Sequence, residues 1–171
     1  MKSETAMTMR ERFQAVMNFR PVDRLPIVEW AGWWDKTVDR WRQEGRPADL
    51  NGHRVLRHRG MDVYLQSWYS SWTGDFPWAR RPGQSPVATM DDYESVLPHL
   101  YPWPVVDHNH WKGWAEEQKR GDVALWFTLN GFFWYPRTLF GIEPHLYAFY
   151  DQPDLMHRMC SDLADWNIKV I

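Results

Sequence analysis

Apolar residues first recur at helical spacing close to the amino terminus. Thr8, with Glu11 three positions later, has the form of a capping box, in which each side chain bonds the backbone N–H of the other residue. Apolar side chains then fall on one face until about Phe19, and Pro21 cannot continue the pattern. The spacing therefore predicts a first helix that runs to about Phe19.

Further helices are predicted where the same apolar spacing returns between a polar N-cap residue and a glycine that ends the helix. Their predicted bounds are Asp35 to before Gly45, 51–59 before Gly60, a short helix around 90–97, Asp107 or Asn109 to Gly121, and 136–150. The final helix begins at Pro153, and its apolar residues recur every three or four positions up to Val170. Because the chain ends at Ile171 while this pattern is still apolar, we expect 1–171 to be one partial, truncated domain.

Three short apolar segments between these helices predict strands. They cover 27–30, 62–68 and 123–127. The third has no polar alternation, which is typical of a strand buried on both faces, so we expect Val123 to Thr128 to be a central strand of a parallel sheet. Strands that alternate with helices predict an α/β fold with parallel strands.

Candidate binding residues follow these strands, because α/β sheets bind ligands at the carboxyl ends of their strands. They are Glu29, Trp30 and Trp33 after the first strand, Trp68 and Tyr69 after the second, and Asn130, Tyr135 and Arg137 after the third. Packing is the commoner role for tryptophan, whereas buried amide and guanidinium groups need partners. We expect Trp30, Asn130, Tyr135 and Arg137 to line one concave surface. The segment 69–104, rich in proline, glycine and aromatic residues, predicts a long functional loop.

Composition narrows the classes of partner. The formal net charge is -2, so no excess of positive charge is available for a phosphate backbone, and we expect no nucleic-acid partner. A single cysteine, Cys160, suits a reducing compartment. No signal peptide pattern and no run of about 20 apolar residues occur, which predicts a cytoplasmic protein without a membrane partner. The 13 tryptophans suit both a core and a pocket for flat ligands.

Motifs for nucleotides and metals are missing from the sequence. It has no GxGxxG after a strand, no Walker loop and no CxxC pair. His157 and Cys160 share a helix face, but zinc needs more ligands than these two, and core packing explains them better. His108 and His110 are explained better as capping or solvated residues. We therefore predict no metal site within these residues.

Five short motifs, in order, resemble the uroporphyrinogen decarboxylase superfamily. Residues 8–12 read TMRER before a helix, and 22–27 read VDRLPI, like the family's opening helix and its Asp-Arg-x-Pro entry to the first strand. Residues 131–139 read GFFWYPRTL, similar to the Gly-Phe-x-x-x-Pro-x-Thr-Leu of the decarboxylases. The GIE at 141–143 and the DQPD at 151–154 resemble the family's Gly-x-Glu and its Asp-Pro helix start.

The resemblance implies the N-terminal part of a (β/α)8 TIM barrel, a fold that typically needs ~250 residues. Members are either cofactor-free decarboxylases of uroporphyrinogen or methyltransferases that use a corrinoid and a zinc-activated thiol. The decarboxylases carry Arg-Gln-Ala-Gly-Arg after the first strand, where this chain has WAGWW at 30–34, and Ile142 replaces an expected tyrosine. The resemblance thus implies a methyltransferase-like protein that does not decarboxylate uroporphyrinogen.

Three functions remain open at this stage. The first is corrinoid- and zinc-dependent methyl transfer by the full-length form, with a tetrapyrrole or a methyl donor as the small-molecule substrate. The second is uroporphyrinogen III decarboxylation in haem biosynthesis. The third is a non-catalytic fragment or a module that binds aromatic ligands. We expect the isolated residues to be inactive and to pair with a second copy as a homodimer, or with a missing segment, or else to be poorly soluble, because open sheet edges and an uncovered apolar surface favour association.

Overall fold

The computed structural model describes residues 6–47, 49–50, 52–79 and 84–171, and the chain there is mixed α/β. Part of the helix predicted over 51–59 and part of the predicted long loop lie outside the described residues. The described elements, in chain order, are α1 (Met9–Met17), α2 (Asp35–Gln43), α3 (His53–His58), β1 (Val63–Trp68), α4 (Met90–Val96) with a 3-10 turn (Leu97–His99), α5 (His108–Lys119), β2 (Val123–Thr128), α6 (Trp134–Phe140), α7 (Ile142–Asp151) and α8 (Pro153–Val170).

Local sequence determines the start of α1 and the buried face of α8. The Glu11 amide donates to Thr8 Oγ1 over 3.2 Å, and the Thr8 amide donates to Glu11 Oε2 over 2.9 Å, so the predicted capping box is confirmed. In α8 the predicted apolar face is buried at Leu155, Met159, Leu163 and Trp166 and partly buried at Val170. The predictions for these two helices are confirmed because both signals act within one or two turns.

The predicted helix over 136–150 is two helices. It breaks at Gly141, whose φ of 84° and ψ of 167° form a conformation that glycine adopts readily and that cannot continue an α-helix. The break lets α7 begin again at Ile142, with Pro144 in its first turn, where its missing N–H costs no hydrogen bond. A continuous helix over 136–150 was therefore the wrong prediction.

The strands β1 and β2 form a parallel sheet, and within the described residues this sheet has two strands. The prediction of a parallel strand over 123–128 is confirmed. Its prediction as a central strand buried on both faces is wrong for the described part of the chain: Val123 is fully buried, but Trp126 is 42% and Phe127 44% exposed. Trp126 packs sideways against the rings of Phe13 (5.9 Å) and Tyr64 (5.4 Å), so an apolar aromatic run does not require a covering layer.

The segment 27–30 is irregular, and the prediction of a buried strand there is wrong. Ile27 and Val28 are half exposed or nearly so. The Ile27 amide donates to the side chain of Asp62 (2.9 Å), and the Ile27 carbonyl accepts from the Asp62 amide (2.7 Å). Pro26 has no N–H to extend this pairing, and the Asp62 carboxylate takes the donor that a ladder would use. Glu29, Trp30 and Trp33 therefore follow an irregular segment and not a strand.

The chain divides into two compact units, Met1–Gln66 with His108–Trp126, and Ser67–Asp107 with Phe127–Ile171. We call them unit 1 and unit 2. Each has its own apolar cluster, built in unit 1 around Val63, Leu65 and Val123 and in unit 2 mainly on α4, α6 and α8. The prediction of one partial domain stays a prediction. Among the described residues, no helix has both the length and the apolar character needed to cross a bilayer.

Unit 1 also contains a buried ion network that the sequence analysis missed. The Arg12 guanidinium donates to Asp23 Oδ1 and to Asp62 Oδ1, each over 2.8 Å, and Arg24 donates to Asp62 Oδ2 over 2.5 Å. Hydrogen bonds from Arg12 hold the pKa of Asp23 well below its usual range. Burial raises the pKa of Asp62, but the hydrogen bonds from Arg24 and Ile27 and the two positive charges outweigh this, so its pKa is also lowered. The Asp-Arg pair of the resemblance thus anchors the chain before β1.

Candidate functional site

The carboxyl ends of the two strands continue into unit 2 side by side. The Tyr69 amide, just after β1, donates to the Thr128 carbonyl at the end of β2 over 3.0 Å. Two residues later Asn130 Nδ2 donates to Ser71 Oγ over 2.6 Å, and the Asn130 carbonyl accepts from Asn167 Nδ2 on α8 over 3.2 Å. Asn130 therefore fixes the turn after β2 to the chain after β1, and its predicted need for a partner is met inside the protein.

An apolar cleft lies just beyond Asn130. Gly131–Trp134, which we call the aromatic turn, borders a shallow, largely open cleft of ≈520 Å³, and the side chains of Phe132, Phe133 and Trp134 are each at least half exposed. Large aromatic side chains that remain in contact with water in one segment are available to a flat apolar ligand.

Arg137 brings a positive charge to this turn. Its guanidinium lies 4.0 Å from the centre of the Trp134 ring, one helical turn back on α6. A stacked guanidinium keeps its planar N–H fork free to donate to a carboxylate or phosphate, and it loses little water on binding because one face is already covered by the ring. The pair Trp134–Arg137 thus combines an apolar surface with a hydrogen-bond donor for an anion.

A buried histidine lies behind the aromatic turn. His145 on α7 is fully buried, with Phe133 and Phe149 ring centres 4.9 Å and 5.0 Å from its own, and among the described residues neither ring nitrogen has a hydrogen-bond partner. Burial, followed by the positive charge of Arg137, lowers the pKa of His145, so the imidazole is neutral at pH 7. Sequence analysis missed this residue because Leu146, Phe149 and Tyr150 form the more apolar face of α7, and that face is exposed.

Tyr135 lies in the core of unit 2. Its hydroxyl donates to the hydroxyl of Tyr101 over 2.7 Å; that of Tyr101 lies 2.7 Å from the hydroxyl of Tyr93, which donates to Asp162 Oδ2 on α8 over 2.9 Å. Burial raises the pKa of Tyr101 to about 12, and it raises those of Tyr93 and Tyr135 far above the ordinary tyrosine value. These phenols are neutral at all ordinary pH values, and spacing along the chain gave no signal of their contact.

Of the other predicted site residues, Glu29, Trp30 and Trp33 belong to unit 1. The side chain of Trp30 is 82% exposed, the Glu29 carboxylate accepts from the Ala31 amide over 3.1 Å, and Trp33 packs edge-on against Trp41 at 5.0 Å. Trp68, the last residue of β1, is exposed in unit 2. Within unit 2, Asn130, Tyr135 and Arg137 follow one another along the chain from the end of β2 into α6, and Tyr135 is buried in the core and not at a surface. The prediction that Trp30, Asn130, Tyr135 and Arg137 line one concave surface stays a prediction.

Zinc does not fit the described residues. Among them no three His, Cys, Asp or Glu side chains lie close enough together to hold a metal ion. Burial raises the pKa of the half-buried Cys160 thiol, whereas a zinc ligand must be a thiolate. The zinc implied by the resemblance therefore has no ligand set in this part of the chain, and the aromatic turn with Arg137 is the candidate site.

Comparison of the chain with family models, with curated proteins and with solved structures found no match in any of the three.

Proposed function

We propose that this chain is the N-terminal part of a (β/α)8 barrel of the uroporphyrinogen decarboxylase superfamily, on its methyltransferase-like branch, and that its aromatic turn binds a flat organic anion. The pair formed by Trp134 and Arg137 at the edge of the ≈520 Å³ cleft carries the proposal. The order of the sequence motifs and the parallel pair β1 and β2, joined through α4 and α5, support the barrel.

The chemistry of the cleft selects a class of ligand. Phe132 and Phe133 offer apolar surface to a ring system, and Arg137 offers a fork of N–H donors to a carboxylate at the rim of that ring. A tetrapyrrole with acidic side chains has both features, as does a methyl donor with a planar aromatic part. We also propose that the protein is cytoplasmic and that zinc and corrinoid bind to residues outside this chain.

The binding step is tested by titrating the 171-residue chain with uroporphyrin, a flat octacarboxylate, while tryptophan fluorescence is recorded. Saturable quenching is expected, and Arg137→Gln should weaken binding by about tenfold or more, since a hydrogen bond to a charged group contributes about 1.5–3 kcal/mol. Lys169→Gln is the matched control, because Lys169 also stacks on an exposed tryptophan, Trp103, at 4.4 Å.

The two variants distinguish binding of the porphyrin at the aromatic turn from its general attraction to the charge and the tryptophans of the protein. An unchanged Kd for Lys169→Gln beside a weakened one for Arg137→Gln supports the site. Equal weakening by both, or by neither, would contradict it, because the porphyrin would then be responding to net charge or to tryptophans elsewhere.

A further inference from the structure

Three tyrosines in unit 2, of which Tyr93 and Tyr135 are buried and Tyr101 is partly buried, form a hydrogen-bonded chain with one direction. A phenol has a single hydrogen, and Tyr93 uses its hydrogen on the Asp162 carboxylate. Tyr101 must therefore donate to Tyr93, and Tyr135 donates to Tyr101. Every hydrogen points toward Asp162, which also accepts from Arg158 Nε over 2.8 Å and whose side chain is 23% exposed to solvent.

Two tryptophans connect the other end of this chain to the surface. The Trp72 ring is stacked on Tyr135, with centres 6.3 Å apart and planes inclined by 12°. Trp78 meets Trp72 edge-on at 5.1 Å, and its side chain is 40% exposed. An electron can pass between aromatic rings at such separations, and tryptophan and tyrosine are the side chains most easily oxidised by one electron.

We propose that Trp78, Trp72 and Tyr135 form a one-electron relay, in which a small diffusible radical oxidant takes an electron at Trp78 and Tyr135 is finally oxidised. Tyr135 gives one electron to the Trp72 radical cation. Its proton moves to the Tyr101 oxygen as the Tyr101 proton moves to Tyr93 and that of Tyr93 to Asp162. The products are neutral Trp72, a neutral Tyr135 phenoxyl radical and a protonated Asp162, so charge and atoms balance.

The proton chain is the feature that distinguishes this relay from ordinary aromatic packing. A tyrosine that loses an electron becomes a strong acid, and Tyr135, at 1% exposure, has no contact with bulk water through which to release its proton. A carboxylate at the end of a chain of aligned phenols is an acceptor for this proton. Packing alone requires neither the common direction of the hydrogens nor the terminal carboxylate.

Pulse radiolysis with the azide radical, a one-electron oxidant of tryptophan, tests the relay in the intact chain. We expect tryptophanyl absorbance to decay by a unimolecular step as tyrosyl absorbance rises, with a rate independent of protein concentration and lower in D2O. Tyr135→Phe should remove most of the fast tyrosyl rise, and Asp162→Asn should slow it several-fold, because an amide does not take up the proton.

Tyr150→Phe is the matched control, since it removes an exposed tyrosine of the same unit and should leave the fast phase unchanged. Thermal melting establishes that each variant is folded. If Tyr135→Phe does not fold, Trp72→Phe removes the entry point and keeps a ring there, and it should abolish the fast phase. A fast tyrosyl rise that survives Trp72→Phe, or one without a solvent isotope effect in the wild-type chain, would overturn the proposal.

Discussion

At the scale of single residues, Asp62 stabilises unit 1 through contacts that join distant parts of the chain. Its carboxylate accepts from Arg12, Arg24 and the Ile27 amide, and the Asp62 side chain is 6% exposed. Removing one partner of a buried ion pair leaves the remaining buried charges unpaired, which costs more folding free energy than the loss of an exposed pair.

Asp62→Asn is therefore expected to lower the free energy of unfolding by about 3 kcal/mol or more. Asp39→Asn is the matched control: Asp39 pairs with Arg42 at 2.7 Å, but both side chains are more than half exposed, so a loss below about 1 kcal/mol is expected. Urea unfolding at neutral pH measures both variants. Similar losses for the two would contradict the assigned role of the network.

The same network predicts how stability depends on pH. The pKa values of Asp23 and Asp62 are lowered in the folded chain, so the unfolded chain binds their protons first as the pH falls. Their contribution is complete above the unfolded aspartate pKa of about 3.9 and is lost as the pH falls through the folded values. The Asp62→Asn profile should accordingly be flatter than the wild-type profile below about pH 4.

At the scale of elements, Gly141 separates α6 from α7 at a position where a side chain is unfavourable. Its φ is 84°, and a Cβ there would lie 2.8 Å from Ser85 Oγ. Gly141→Ala is expected to destabilise the protein by about 1 kcal/mol or more through backbone strain, before any cost of moving Ser85. Gly131→Ala is the control, since a Cβ at Gly131 meets nothing within 4 Å. Equal melting temperatures for the two variants would show that the break between α6 and α7 does not require glycine.

The elements also show which patterns in the sequence are informative. Thr8 and Glu11 predicted the start of α1 because a capping box acts within one turn. The irregular segment at 27–30 was not predictable in this way, since its conformation depends on Asp62, 35 residues from Ile27. In α7 the apolar residues do not mark the buried face, because the helix buries His145 and Ala148 and exposes Leu146. In the candidate site, Asn130 and Arg137 were predicted from their place after a strand, whereas the tyrosine chain depends on contacts between distant residues.

At the scale of the whole molecule, the exposed apolar side chains on α7 predict self-association. Ile142, Leu146 and Tyr150 follow one face of this helix, and all three are more than half exposed. Contiguous apolar surface of this kind commonly marks an interface.

We therefore expect the 171-residue chain to sediment as a dimer or a larger species at low micromolar concentration. Leu146→Glu should shift it toward the monomer, because a carboxylate within an apolar interface loses hydration without gaining a partner. Ile168→Glu is the matched control, since Ile168 lies on another helix, α8, and is also an apolar residue that is more than half exposed. A wild-type chain that sediments as a monomer, or equal dissociation by both variants, would show that the face of α7 is not an interface.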